Sequence, residues 1–174
     1  ADLDLDEVGL RQAAAAATRV AKWGATAIYS SPLKRAMTTA EILAKPRGLQ
    51  AQPLEGLIDI DYGRWQGLSL KEAEANDPEL YGLWLQSPHL VTFPGGEGLE
   101  QVRERVAGVV ETVVRSHPDK AVVLVSHKGA CKGLLCSLIG LDHSHFWQIQ
   151  QEVCAISRVE MEKGWPVTLL VNDT

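Results

Sequence analysis

Five consecutive apolar residues, Ala121-Val122-Val123-Leu124-Val125, stand between Lys120 and Ser126. A strand of this kind has no polar face to offer to water, so both of its faces must be covered. That predicts a central parallel strand with helices packed on either side. The rest of the chain alternates as such a fold requires. Asp6 is placed to cap a helix whose apolar face runs Leu10, Ala13, Ala17, Val20. Thr26–Tyr29 reads as a second buried strand, and Ser31-Pro32 as the capped start of a helix burying Leu33, Met37, Ala40 and Leu43. After Gly95-Gly96 a helix carries Leu99, Val102, Val106, Val109 and Val113 on one face. Another helix spans about Gly129–Ile139. Two closing strands, about Val153–Glu162 and Val167–Asn172, meet at Lys163-Gly164. Between Pro53 and Pro94 the pattern is broken by Gly56, Gly63, Gly67, Pro78 and Pro88. It reads as a long functional excursion with short helices.

No repeat or linker divides the 174 residues, so a single domain is expected. Apolar residues are 45% and charged residues 22% of the chain, which excludes disordered and collagen-like classes. A net charge of -5 gives no reason to expect a nucleic-acid partner. No apolar run approaches the roughly 20 residues of a membrane span, and no signal-peptide pattern is read. Cys131, Cys136 and Cys154 are odd in number and read as reduced thiols of a cytoplasmic protein.

Ligands of open α/β sheets sit outside the carboxyl ends of the strands. Two turns put polar residues there. Ser30-Ser31-Pro32-Leu33-Lys34-Arg35 places Arg35 in the first turn of a helix, and Val125-Ser126-His127-Lys128-Gly129 ends a strand in His127 followed by Lys128. An arginine fork, a histidine and a helix N-terminus suit an anionic oxygen cluster such as phosphate. The same residues also read as a surface ion pair and a satisfied strand-end histidine. Asp59, set among Leu57, Ile58 and Ile60, has the surroundings that raise a carboxyl pKa, as a general acid needs. Its alternative is a solvated carboxylate in a turn, and the same choice stands for Asp61. Glu97 reads as a helix-start carboxylate or a pocket-rim residue. His143 and His145 with Cys131 and Cys136 fit no zinc spacing, so no metal is expected there. His89 and His117 receive no role. Trp65, Trp84, Trp147 and Trp165 read as core or pocket walls rather than a base-stacking platform, since no basic stripe interleaves them.

Taken in order, several stretches resemble the histidine phosphatase superfamily, also called phosphoglycerate mutase-like. They are Leu5-Asp6-Glu7-Val8-Gly9-Leu10-Arg11-Gln12-Ala13, Tyr29-Ser30-Ser31-Pro32-Leu33-Lys34-Arg35-Ala36, Thr39-Ala40-Glu41 and Asp61-Tyr62-Gly63-Arg64-Trp65-Gln66-Gly67. Phe93-Pro94-Gly95-Gly96-Glu97, Val125-Ser126-His127-Lys128 and Val171-Asn172-Asp173-Thr174 complete the set. The flavour is that of bacterial broad-specificity, α-ribazole phosphatase-like members. The resemblance implies an α/β three-layer sandwich with a mostly parallel central sheet. It implies that Arg35 grips phosphate, that His127 contacts the transferring phosphoryl group, and that Asp59 stands where the family usually has a proton-donating glutamate. Gln66 and Lys132 replace a common glutamate and arginine, which a pocket rim tolerates, and Lys128 and Glu97 are candidate rim residues on their own positions.

Family members begin with a strand ending in Arg-His-Gly, whose histidine is the nucleophile. Nothing here matches it, so the nucleophile is expected upstream of Ala1 and the chain is expected to lack the fold's first strand. The resemblance thus implies a cofactor-independent phosphomonoesterase acting through a phosphohistidine. The alternatives are a phosphoglycerate mutase and, of another class, a non-catalytic phosphate-binding or interaction module. The partners expected are a small phosphorylated metabolite and at most a second copy in a homodimer, with no nucleic acid and no membrane.

Overall fold

The computed structural model describes residues 2–174. Asp6 starts α1 (Glu7–Val20) by accepting the Gly9 amide hydrogen at 2.8 Å, and Ala13, Ala16, Ala17 and Val20 face inward. Leu10, expected on that face, is 42% exposed. β1 (Ala27–Ser30) follows, and the chain then enters α2 (Lys34–Ala44). The expected Ser31-Pro32 helix start is displaced. Leu33 is the N-cap residue, and its apolar side chain offers no cap; the Ser31 hydroxyl, two residues earlier, accepts the Leu33 amide hydrogen and also bonds to His127.

β2 (Ala51–Pro53), three residues long, was hidden at the mouth of the irregular excursion. Two helices fill that excursion: α3 (Leu70–Asn76), closed by a Ser69–Glu72 capping box, and α4 (Pro78–Gln86), capped by Asp77. Then come α5 (Leu99–Ser116), β3 (Val122–Val125), α6 (Lys128–Leu138), β4 (Ile156–Glu162) and β5 (Trp165–Asp173).

The sheet order is β2-β1-β3, with both pairings parallel. Among the described residues β1 is the middle strand and β3, expected to be central, stands at one edge. All four β3 residues are half-buried, and its outer edge meets no strand among the described residues. An apolar run reports that both faces are covered; it carries no information about lateral pairing. The faces are indeed covered. Ile28, Val123 and Val125 pack with α1 and α2, while Tyr29 and Leu124 pack with the cluster of Val102, Val106 and Ala130 from α5 and α6. This makes three layers. The closing strands form a separate antiparallel pair, turning at Lys163 and Gly164 with φ of 50° and 87°.

The excursion is a packed aromatic cap. Phe93 meets Tyr62, Trp65 and Trp84 with ring centroids 5.0, 5.2 and 5.1 Å away, in edge-to-face arrangements. Its base is a tight backbone crossing. A Cβ on Gly96 would lie 2.2 Å from the Asp61 carbonyl oxygen, and one on Gly63 would lie 2.3 Å from that of Pro94. Only glycine fits at these contacts, which bring residues 59–63 against 94–97. No helix among the described residues is long and apolar enough to cross a membrane.

Candidate active site

The carboxyl ends of β1 and β3 lie side by side, since Ser30 pairs with Val125 and the Ser31 amide donates to the Val125 carbonyl at 2.9 Å. From β1 the chain passes through fully buried Ser30 and Ser31 into α2, where Arg35 is the second helical residue. From β3 it passes through Ser126 to His127, the residue that precedes α6. Between the two comes the loop carrying Asp59. Gly129 admits that loop to the first turn of α6, because a Cβ there would lie 2.5 Å from the Ile60 side chain.

Asp59 Oδ2 lies 3.7 Å from Arg35 Nη2 and 4.0 Å from His127 Nδ1. Its other oxygen accepts the Ile60 amide hydrogen at 2.9 Å. Burial raises the Asp59 pKa, opposed by the Ile60 hydrogen bond and by the charges of Arg35 and Arg105. His127 is pushed down to about 4, first by burial and then by the same two guanidinium groups, so at neutral pH its imidazole is uncharged. Its contact with Asp59 is therefore no salt bridge. His127 Nε2 is 2.7 Å from Ser31 Oγ, which also accepts the Leu33 amide hydrogen at 3.3 Å. A hydroxyl so placed is free to donate its proton to Nε2, leaving the Nδ1 hydrogen on the Asp59 side. Cys131 lies in the first turns of α6 close to this group. Burial and the Asp59 charge push its thiol up to about 11, so it stays protonated.

The depressed His127 pKa has a consequence for stability. Below its ordinary value of 6.5 the unfolded chain binds a proton that the folded one refuses until about pH 4. Stability is thus fully present above that window and is lost as pH falls through it, by about 3 kcal/mol. Urea unfolding at both ends of the window measures this. His127→Gln is expected to flatten the pH slope, and an unchanged slope would contradict the buried neutral imidazole.

The remaining candidates lie as follows. Lys128 is exposed at the first position of α6. Glu97 faces inward rather than into open solvent at a rim. Its carboxylate receives the Asp61 amide at 2.9 Å and the Arg105 guanidinium at 2.6 Å. Lys132, expected at the rim, is 3% exposed, with its ammonium 4.5 Å from the Phe146 ring centre and 4.4 Å from that of Trp147. His143 Nδ1 is 3.7 Å from a Glu100 oxygen, and His145 faces Asp142. His117 bonds to Tyr29 at 3.0 Å.

Arg105 was not anticipated. It reaches from α5 to the backbone carbonyls of Gly56, Ile58 and Asp59. In sequence it sits in Arg103-Glu104-Arg105, a charged stretch that reads as a solvated helix face. The apolar positions Val102, Val106 and Val109 flank its stripe, and this was the available signal.

A guanidinium and an imidazole that converge on one carboxylate, at the carboxyl edge of a parallel sheet, suit a phosphoryl group and a proton donor. A family model described as histidine phosphatase superfamily (branch 1) matches residues 1–174. The chain belongs to that superfamily. Among histidine phosphatase superfamily relatives, phosphoserine phosphatase 1 of Hydrogenobacter thermophilus is 37% identical over 173 residues, covering 99% of this chain and 82% of that protein. A bifunctional protein of Mycobacterium tuberculosis is 34% identical over 172 residues, which are 98% of this chain and 47% of that one. In three dimensions, Bacillus stearothermophilus YhfR aligns with a TM-score of 0.95 at 27% identity, covering 99% of this chain and 86% of that one. A mycobacterial glucosyl-3-phosphoglycerate phosphatase complexed with VO3 aligns at 0.90 and 28% identity, covering 99% and 88%.

Proposed function

We propose that this histidine phosphatase superfamily member hydrolyses phosphate monoesters of small metabolites, through a phosphohistidine and without a cofactor. The observation that carries the reading is the approach of Arg35 and His127 to the same oxygen of Asp59. The relatives named phosphoserine phosphatase and glucosyl-3-phosphoglycerate phosphatase support it. In this reading Arg35 grips the phosphoryl oxygens and neutral His127 donates a hydrogen bond to them. A nucleophilic histidine attacks phosphorus, the ester P–O bond breaks, and protonated Asp59 gives its proton to the departing alkoxide. Water then attacks the phosphohistidine, Asp59 takes a proton from it, and inorganic phosphate leaves.

His127 is the histidine that this cluster contains among the described residues, and here it supports the phosphoryl group. The nucleophile comes instead from a strand laid along the open edge of β3. A parallel neighbour of β3 would end at the same edge as Ser126 and His127, and that open edge supports the reading. The match over residues 1–174 supports a single domain, and the free thiols of Cys131, Cys136 and Cys154 support a reducing, cytoplasmic setting.

The test is to express the complete reading frame and assay phosphate esters with a chelator present. Brief mixing with labelled substrate should trap an acid-labile phosphohistidine outside His127. Phosphate binding without turnover, or labelling of His127 itself, would overturn the reading.

A further inference from the structure

The guanidinium of Arg105 has five N–H groups, and all five are engaged. Nη1 donates to the carbonyls of Gly56 at 3.1 Å and Ile58 at 2.7 Å. Nη2 donates to the carbonyl of Asp59 at 2.8 Å and to Glu97 Oε1 at 2.6 Å, while Nε donates to Glu97 Oε2 at 3.1 Å. Glu97 is tied to the same loop, since its Oε1 accepts the Asp61 amide hydrogen and its own amide donates to the Asp61 carbonyl, both at 2.9 Å. Gly56 presses on the helix one turn further along, where a Cβ would lie 2.4 Å from the Val109 side chain. The 56–61 segment is thus gripped at its main chain by Arg105 and Glu97, while Leu57 and Ile60 bury their side chains in the core beside α5 and Ser126 Oγ donates to the Leu57 carbonyl at 2.7 Å. The Asp59 side chain is left to face Arg35 and His127.

We propose that Arg105, braced by Glu97, is a positioning residue for the Asp59 carboxyl group: it fixes the loop backbone that aims this carboxyl at Arg35 and His127. This rests on the proposed phosphatase reading. A carbonyl-capturing fork is what the task needs. It takes three main-chain oxygens on two nitrogens of one planar group and still has donors for Glu97, which an ammonium with three donors on a single nitrogen cannot match. The bracing carboxylate satisfies the two remaining donors and keeps the side chain from swinging toward solvent.

Above the ordinary imidazole value of 6.5, where His127 is neutral whether or not the Arg105 charge is present, a residue that positions Asp59 should matter only where Asp59 matters. Arg105→Gln, made in the full-length protein, is expected to lower kcat on the order of a hundredfold for alkyl phosphates such as O-phosphoserine, with KM little changed. It should leave p-nitrophenyl phosphate nearly untouched, because that leaving group departs without a proton. In an Asp59→Asn background the same change should add nothing, since two members of one chain of action are not additive. If Arg105→Gln does not fold, Arg105→Lys keeps the charge and should give a smaller loss with the same selectivity. Equal losses on both ester types, or a loss that persists in Asp59→Asn, would assign Arg105 to general stability and overturn the proposal. Selective loss in Asp59→Asn with none in the Arg105 variants would overturn the positioning role alone. An Asp59→Asn variant without selectivity would overturn the phosphatase mechanism beneath it as well.

Discussion

Asp59→Asn is expected to slow hydrolysis of alkyl phosphates by about a thousandfold, within the range that general acid catalysis supplies. Phosphorus–oxygen cleavage from an alcohol leaves an alkoxide, a very poor leaving group unless a proton reaches it as the bond breaks. The p-nitrophenolate ion needs no such help, so its ester should lose far less. Measuring kcat on both substrates with one variant separates proton donation from every other contribution. The pH profile supplies a second check. Burial raises the Asp59 pKa, which extends the protonated form to higher pH than an exposed carboxyl allows. The rate on alkyl phosphates should fall as pH rises through that raised value, and the fall should vanish in Asp59→Asn. Equal losses on the two ester types would show that Asp59 is not the acid. Phosphate binding should respond in the opposite sense. The Asp59 carboxylate rests against Arg35 and His127, where phosphoryl oxygens are proposed to go, so removing its charge should tighten phosphate binding.

His127→Ala is expected to cost on the order of a hundredfold or more on every ester, whatever its leaving group, the usual scale for one lost transition-state donor. The burial and the two guanidinium charges that hold its imidazole at about 4 keep it neutral, with one N–H and one lone pair. Ser31 takes one ring nitrogen and so orients the other toward the Asp59 side. The loss should therefore appear in kcat/KM for O-phosphoserine and p-nitrophenyl phosphate alike. A loss confined to alkyl esters would make His127 part of the proton path instead, and the assignment to the phosphoryl group would fail.

Much of this site could be read without coordinates because its residues lie at the joints of the chain. Arg35 and His127 each follow a short apolar strand and open a helix, and a parallel sheet brings such joints to one edge whatever else the chain does. Asp59 was legible as a carboxyl among Leu57, Ile58 and Ile60, though a solvated turn explained the same residues. Ser31 reads as the helix cap, whereas in the fold Leu33 is the N-cap and the Ser31 hydroxyl both accepts the Leu33 amide and bonds to His127. Its hydroxyl had two partners within reach, the local helix start and an imidazole from a separate strand. The sequence shows only the local one.

Local periodicity by itself determined the order of strands and helices, the apolar face of α5, that of α1 apart from Leu10, and the presence of covered strands. Those depend on neighbours within a turn or two, where side-chain spacing and backbone preference act directly. Lateral order and long-range grips belong to the tertiary structure. Val122–Val125 is apolar enough for the middle of a sheet yet stands at the edge of the described one, because pairing is made by backbone groups that every residue carries. Arg105 looks like any surface arginine until the carbonyls it captures arrive from positions 46 to 49 residues away. Those carbonyls are likewise main-chain oxygens, the same at every position, so only the folded path of the chain singles them out.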